Sequence, residues 1–452
     1  MFQRNALHEL RKWSRKPKHK PLIIRGARQV GKTSLVVTFA KEFKIFLHLN
    51  LDKAADRQLF ERNDAVEDVL TAIYLAKGQR KPQGRRHEKT LLFIDEIQNS
   101  PPAVAMLRYF YEDFPDLYVI AAGSLLESLM DVHVSFPVGR VEYMALRPCS
   151  FMEFLGAMGE GAIRESLLSV QVPGAIHHRI MQLFNEYIIV GGMPEAVASY
   201  AESRDLVALQ HLYETLLTGY RDDTEKYAGN KNSQAVLRYV LTYGWLYAGQ
   251  RITFERFANS NYKSREMGEA LRTLEKALLL ELTYPTTSTA IPVQPDLKKS
   301  PKLHWLDIGI VNHVAGLQEE LWGLPDFSHS WKGKIAEHIV GQELIAASQL
   351  VSAKRSFWVR EAKNAQAEVD FLFQYGRHLL PIEVKSGHNS KLKSLHLFMA
   401  QAESPAAIRF WNNPASSDEI THPSGKRYTL YNLPFYYAGQ LATFCQTVPQ
   451  LN

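Results

Sequence analysis

Gly26-Ala27-Arg28-Gln29-Val30-Gly31-Lys32-Thr33, followed by Ser34, fits the spacing G-x-x-x-x-G-K-[ST]. Glycines let main-chain N–H groups curl around an anion, Lys32 adds positive charge for β- and γ-phosphates, and Thr33 offers a hydroxyl to magnesium. ATP with Mg2+ is the cofactor pair this chemistry suits. Roughly sixty residues further on, the apolar run Leu91-Leu92-Phe93-Ile94 ends in Asp95-Glu96. A buried run that stops at two adjacent carboxylates is costly unless something there uses the charge. Asp95 is therefore expected in the magnesium shell, and Glu96 beside the attacking water. Tyr118 to Ala122 leads into Gly123-Ser124, where Ser124 is either a partner of the γ-phosphate or water, or a polar turn residue. Arg140 is either an arginine finger, working within its own chain or on a neighbouring one, or an ordinary surface arginine.

A second group of chemistry-bearing residues lies near the other end. Glu368-Val369-Asp370-Phe371-Leu372-Phe373 reads as a strand, Tyr375 to His378 as a turn, and Leu379 to Lys385 as a second strand. Alternate residues of a strand share a face, so Glu383 and Lys385 point the same way, and a hairpin would bring Asp370 beside them. The competing reading is a cross-strand charge pair with no chemistry. Arg360, Lys363, Lys391 and Lys393 flank the group and can either meet phosphates or remain solvated surface.

These residues need scaffolds. Leu22-Ile23-Ile24, Ile45 to Leu51, Thr90 to Ile94 and Leu117 to Ala122 are apolar runs separated by helical spacing, the first leading into a helix at Lys32 to Phe43. Runs buried on both faces predict a mainly parallel α/β sheet over residues 1–150. Lys81 to Lys89 reads as a solvated basic loop. Helical pattern then continues to about Arg221, broken at Val172-Pro173-Gly174 and Gly191-Gly192-Met193-Pro194, and predicts a helical lid over 151–230. Helical stretches at Ala235 to Tyr247, Thr253 to Ala258 and Lys263 to Leu280 outline a winged helix-turn-helix over 231–290. Lys263, Arg265 and Arg272 could meet DNA, but Glu266, Glu269 and Glu275 share the stretch and repel phosphates, so packing between domains is the favoured role. A linker with Pro292, Pro295 and Pro301 leads into an α/β region over 300–445.

The chain has 452 residues, 46% apolar and 22% charged, which is ordinary globular composition and enough for several folding units. Net charge is +6 and the pI near 9.0, which permits nucleic-acid contact without requiring it. Met1 to Lys20 is basic and lacks the apolar core of a signal peptide. No stretch reaches the ~18 apolar residues of a membrane span. With only Cys149 and Cys445, neither a disulfide framework nor a cysteine zinc site is expected, and a cytoplasmic location is.

The chain resembles AAA-type ATPases fused to a domain of unknown function, DUF4143. The resemblance rests on Arg25 to Thr33, Phe93-Ile94-Asp95-Glu96-Ile97-Gln98, Ala122-Gly123-Ser124, Gly139-Arg140-Val141 with Leu146-Arg147-Pro148 and Ser150-Phe151, Gly191 to Pro194, and His304-Trp305-Leu306-Asp307-Ile308-Gly309. It implies an ATPase core, a winged-helix segment and a nuclease-like C-terminal domain. The Asp370…Glu383-Val384-Lys385 arrangement is similar to the PD-(D/E)xK nuclease core, in which two carboxylates hold a divalent metal and the lysine assists water. Glu337 matches the additional acidic position of that fold. The functional expectation is an ATP-hydrolysing switch or motor coupled to nucleic acid, in a chain that could form homo-oligomers. The rivals are an ATP-gated DNase with a second divalent metal, and a non-catalytic ATP-dependent regulator that binds a protein partner.

Overall fold

The structure is a computed structural model that describes residues 2–62, 64–82, 89–124, 137–318, 330–360, 367–385 and 392–452. Lys363 and Lys391 lie outside the described residues, as does the middle of the Lys81 to Lys89 loop.

Five strands form the N-terminal sheet: β1 (Leu22–Arg25), β2 (Ile45–Asn50), β3 (Thr90–Asp95), β4 (Tyr118–Gly123) and β5 (Glu142–Ala145). Their order is β2-β3-β4-β1-β5, and every pairing is parallel. The four predicted strands are present. Ile23, Leu92 and Ile94 enter one hydrophobic core, while Leu22, Ile24, Leu91 and Phe93 enter the other. This burial on both faces is why the strands read as continuous apolar runs. The order also places β4 between the phosphate-loop strand and the acidic strand, so the loop after β1 and the ends of β3 and β4 open on one sheet edge.

The helical segment begins with a capping box: Ser150 caps the helix Phe151–Ala157, and the Glu153 side chain returns to the Ser150 main-chain N–H. Helices His177–Val190, Pro194–Ser203 and Leu206–Asp222 follow, with breaks where glycine and proline predicted them.

Over the middle segment, helices Lys231–Tyr243 and Ser264–Lys276 flank two 3-10 turns, Gly244–Tyr247 and Phe257–Asn259. The helix expected at Thr253 to Ala258 is replaced by the second turn, because Arg256, Ala258 and Asn259 all have positive φ. β6 (Leu280–Thr283) then runs antiparallel to β8 (Lys302–Trp305), and β7 (Pro285–Thr286) between them joins β9 (Phe357–Val359). The proline-rich stretch thus returns the chain to the middle segment before it enters the C-terminal region. Trp245 and Trp305 stack at 3.8 Å across that return.

The C-terminal region contains the helix Ser330–Ala346, short β10 (Glu368–Val369), and β11 (Phe371–Tyr375), β12 (His378–Val384), β13 (Ala406–Trp411), β14 (Ser416–Thr421) and β15 (Arg427–Pro434). The last five form one mixed sheet, ordered β11-β12-β13-β15-β14, and β11 with β12 is the predicted hairpin. No helix among the described residues is long and apolar enough to cross a membrane.

Candidate nucleotide site and C-terminal charge cluster

The segment from Gly26 to Ser34 turns tightly between β1 and the helix Lys32–Ala40. Gln29 and Gly31 have φ of 65° and 88°. Positive φ at alternate positions aims successive N–H groups to one side, the geometry of an anion nest. Gly26 is required for a different reason: a Cβ there would collide with the Leu146 carbonyl. Lys32 is buried, and its ammonium donates to Gly26 O and Ala27 O, each at 2.9 Å. Burial lowers its pKa, a pull opposed by the nearby charges of Glu96 and Asp95.

Thr33 Oγ1 donates to Asp95 Oδ2 at 2.6 Å. This contact brings the end of β3 to the phosphate loop across the intervening strand β4. Glu96 follows in a left-handed conformation, φ 53°, and accepts from Gln98 Nε2 at 2.5 Å. Thr33 and Asp95 offer the hard oxygen donors magnesium prefers, so the residues present fit that ion. A cleft of about 710 Å³ runs over the loop, lined among others by Arg28, Lys32, Thr33, Ser34, Glu96 and Pro194.

At this site Arg4 and His48 gave little readable signal, whereas Arg28, Ser124 and Arg140 were expected there. Arg4, in the basic N-terminal stretch, donates to Val30 O at 3.0 Å, to Arg147 O at 2.7 Å and to Glu153 at 2.9 Å. Arg28 forms an ion pair with buried Asp223 at the end of the lid. His48 Nε2 lies 3.9 Å from Asp95 Oδ2, and burial lowers the imidazole pKa. Only its place in the alternating run Phe46-Leu47-His48-Leu49 hinted that it shares a face with Asn50. Ser124 sits at the end of β4, half-buried. Arg140 is not brought into the cleft: its guanidinium is exposed and pairs with Glu112 at 3.2 Å.

At the other site, the hairpin carries Asp370, Glu383 and Lys385 together. Asp370 Oδ2 accepts from Val384 N at 2.7 Å, and Lys385 pairs with Glu383. Glu383 is 4% exposed, and its Oε2 has no hydrogen-bond partner. Burial raises the Glu383 pKa, with Asp370 repulsion adding to it. The unforeseen member is Lys302, fully buried on β8. Its ammonium lies 2.6 Å from Glu337 and 2.7 Å from Glu368. Glu337 is thus present in the cluster but committed to a lysine. Among the described residues no group of three or more His, Cys, Asp or Glu side chains is arranged to hold a metal ion.

Three family models match in chain order: an AAA domain over residues 18–155, a domain of unknown function, DUF8612, over 181–321, and a domain of unknown function, DUF4143, over 332–422. The chain has the AAA-plus-DUF4143 architecture. Its N-terminal region is an AAA domain, and the chain is an ATPase of the P-loop kind. Among solved structures, it is similar to the Walker-type ATPase PABY2304 of Pyrococcus abyssi. That match has 15% identity and a TM-score of 0.42, and covers 70% of this chain and 96% of that one. No curated protein matches.

The AAA domain and the DUF4143 region meet through buried hydrogen bonds on the helix Ser330–Ala346. Glu343 Oε1 accepts from Phe151 N at 3.1 Å and from Tyr187 Oη at 2.8 Å, while Gln342 Oε1 accepts from Ile308 N at 2.8 Å. Tyr187 has one proton but two acceptors, since Cys149 O lies 2.7 Å away. Protonation of Glu343 resolves the conflict. Burial pushes the Glu343 pKa from 4.5 up to about 7, helped by repulsion from Glu153. In the folded protein the proton is held to higher pH than in the unfolded chain, so stability falls as pH rises from about 4.5 to about 7. Glu343→Gln should remove that slope, worth at most ~3 kcal/mol across the window. Urea unfolding at pH 5 and pH 8 measures it: the gap between midpoints should shrink in the variant.

Proposed function

We propose that this AAA-plus-DUF4143 ATPase is an ATP-driven switch or motor whose nucleotide state is passed through the helical lid to a nuclease-like C-terminal domain that engages nucleic acid. The Thr33–Asp95 contact carries the reading, because it gathers a phosphate loop and an acidic strand end around one point. On this reading, the main chain of Gly26 to Gly31 and the first turn at Ser34 cradle the phosphates, and Lys32 meets the β and γ groups. Thr33 and Asp95 hold magnesium, which neutralises charge developing on the transferred phosphoryl group. Glu96 orients and deprotonates the attacking water, and Ser124 bonds it or the γ-phosphate. Arg140, exposed and away from the cleft, acts as a finger across a subunit boundary in a homo-oligomer. A winged-helix reading of the middle segment rests on its order of helix, turn, helix and the β6–β8 pair.

Coupling has a physical route. Pro194 lines the nucleotide cleft, and in the same glycine-proline segment Gly192 N donates to buried Asp307, the residue that caps the helix Ile308–Val314. Replacement of Lys32 by alanine should weaken ATP binding at least ~10-fold, since a charge-assisted contact is lost. Equilibrium nucleotide binding together with phosphate release tests this, and unchanged turnover would eliminate the site.

A second reading, an ATP-gated DNase, is favoured by one observation, the gathering of Asp370, Glu383 and Lys385 on the hairpin. It predicts DNA cleavage with Mg2+ or Mn2+ that Asp370→Ala abolishes. Absence of cleavage by the wild-type protein across several substrates would leave the domain as a scaffold.

A further inference from the structure

Behind the phosphate loop, on a cavity separate from the nucleotide cleft, three parts of the chain meet around a space of about 200 Å³. Its walls include Ala27 and Val30 of the loop, Arg147 after β5, Lys276 and His304 of the middle segment, and Arg355 before β9. The polar groups here are unusually short of partners. His304 is fully buried, and neither ring nitrogen has a hydrogen bond. Such a group, left without a partner, costs about 1–3 kcal/mol. The Arg355 side chain is 7% exposed and forms a two-pronged contact with Glu281 Oε2 at 3.2 and 3.0 Å, leaving Nη1 without a partner.

Charge points the same way. Glu281 is spent on Arg355, and Glu275 on Lys354 at 3.0 Å. Arg147 is held by two carbonyls, Nε donating to Ser348 O at 3.3 Å and Nη2 to Leu350 O at 3.2 Å, which leaves its charge unneutralised. Burial and the neighbouring Arg355 lower its pKa to about 10. Lys276 adds a further cation at the exposed rim.

We propose that this cavity binds a small phosphate-type anion, either inorganic phosphate or the phosphate group of a small metabolite. Arg147 and Arg355 supply guanidinium charge from the lining, and Lys276 supplies charge at the rim. Neutral His304 can give one N–H to an anion oxygen. An anion here ties the rear of the phosphate loop to the DUF4143 side of the molecule, so its occupancy is read at the joint between domains. The site is independent of the nucleotide reading, because none of its anion-binding groups lines the nucleotide cleft.

The test is isothermal titration of the full chain with inorganic phosphate in chloride buffer, using a Lys32→Ala background to disable the phosphate loop. One saturable phosphate per chain is expected to remain, with sulfate competing for it. Adding Arg147→Gln should weaken binding by about tenfold. Lys276→Ala, at an exposed position where folding is not at stake, should weaken it by roughly threefold and reduce the salt sensitivity. No saturable uptake in the Lys32→Ala protein, or unchanged affinity in both cavity variants, would overturn the proposal and leave His304 with ordered water only.

Discussion

Glu96→Gln is expected to lower ATP turnover by roughly 10²–10⁴-fold, the usual contribution of a general base, while nucleotide affinity stays close to that of the wild-type protein. The split follows from geometry. Asp95 reaches the Thr33 hydroxyl, whereas Glu96, in a left-handed backbone conformation, lines the cleft and receives the Gln98 amide. A non-glycine residue with positive φ is held there at a cost, and such strain concentrates at functional positions. Glutamine keeps the size and one acceptor oxygen, so the contact with Gln98 survives. What it loses is the ability to accept a proton from water. Phosphate release and equilibrium ATP binding, measured on the same preparation, separate the two effects. Equal losses in both would make Glu96 part of the nucleotide's binding shell instead of its base.

The proposed nucleotide site was legible because its parts are local. Gly26 to Thr33 is a continuous segment, and the β3 run betrays itself by ending in carboxylates. β1, β3 and β4 are largely apolar on both faces, and edge strand β2 still begins with an apolar run; β5, at the other edge, was missed because Glu142 and Tyr143 interrupt its short pattern. The lid helices announced themselves through glycine and proline breaks. What could not be read are pairs whose members lie far apart in the chain. Arg28 with Asp223, Arg4 with Glu153, and Lys302 with Glu337 have no shared period or spacing, and depend on where tertiary packing carries each element. The middle segment failed in another way. Helical composition at Thr253 to Ala258 was overridden by positive φ at Arg256 and Ala258, a backbone choice that side-chain periodicity does not encode. Asp370, Glu383, Lys385 and Glu337 were found as a group by strand alternation and resemblance, yet the lysine that shares their space sits on β8, at the start of the same 300–445 region, where no spacing ties it to them.

That lysine is the most exposed weakness in the cluster's electrostatics. Lys302→Met is expected to destabilise the protein by about 3–5 kcal/mol, the cost of breaking a buried ion pair by removing one partner. The ammonium is 3% exposed and touches Glu337 and Glu368 directly, with Asp370 close enough to act on it. Methionine fills most of the volume, and the contact of the ammonium with the Phe357 ring, 4.6 Å from its centre, is lost together with the charge. The carboxylates raise the Lys302 pKa above its ordinary 10.5, against the pull of burial. Its stabilising contribution is therefore complete below pH 10.5 and fades only as pH rises through the higher folded value. The variant behaves differently, because the stranded carboxylates can relieve themselves only by taking protons. Its deficit should be smaller at pH 5.5 than at pH 8, as Glu337, already raised by burial, becomes neutral. Urea unfolding at both values tests this, with Lys302→Met/Glu337→Gln as the closing corner of a double-mutant cycle. If the pair carries the effect, the double variant recovers much of the lost stability. A single variant within ~1 kcal/mol of wild type at pH 8, the range of exposed ion pairs, would show that solvent and not Lys302 screens the cluster.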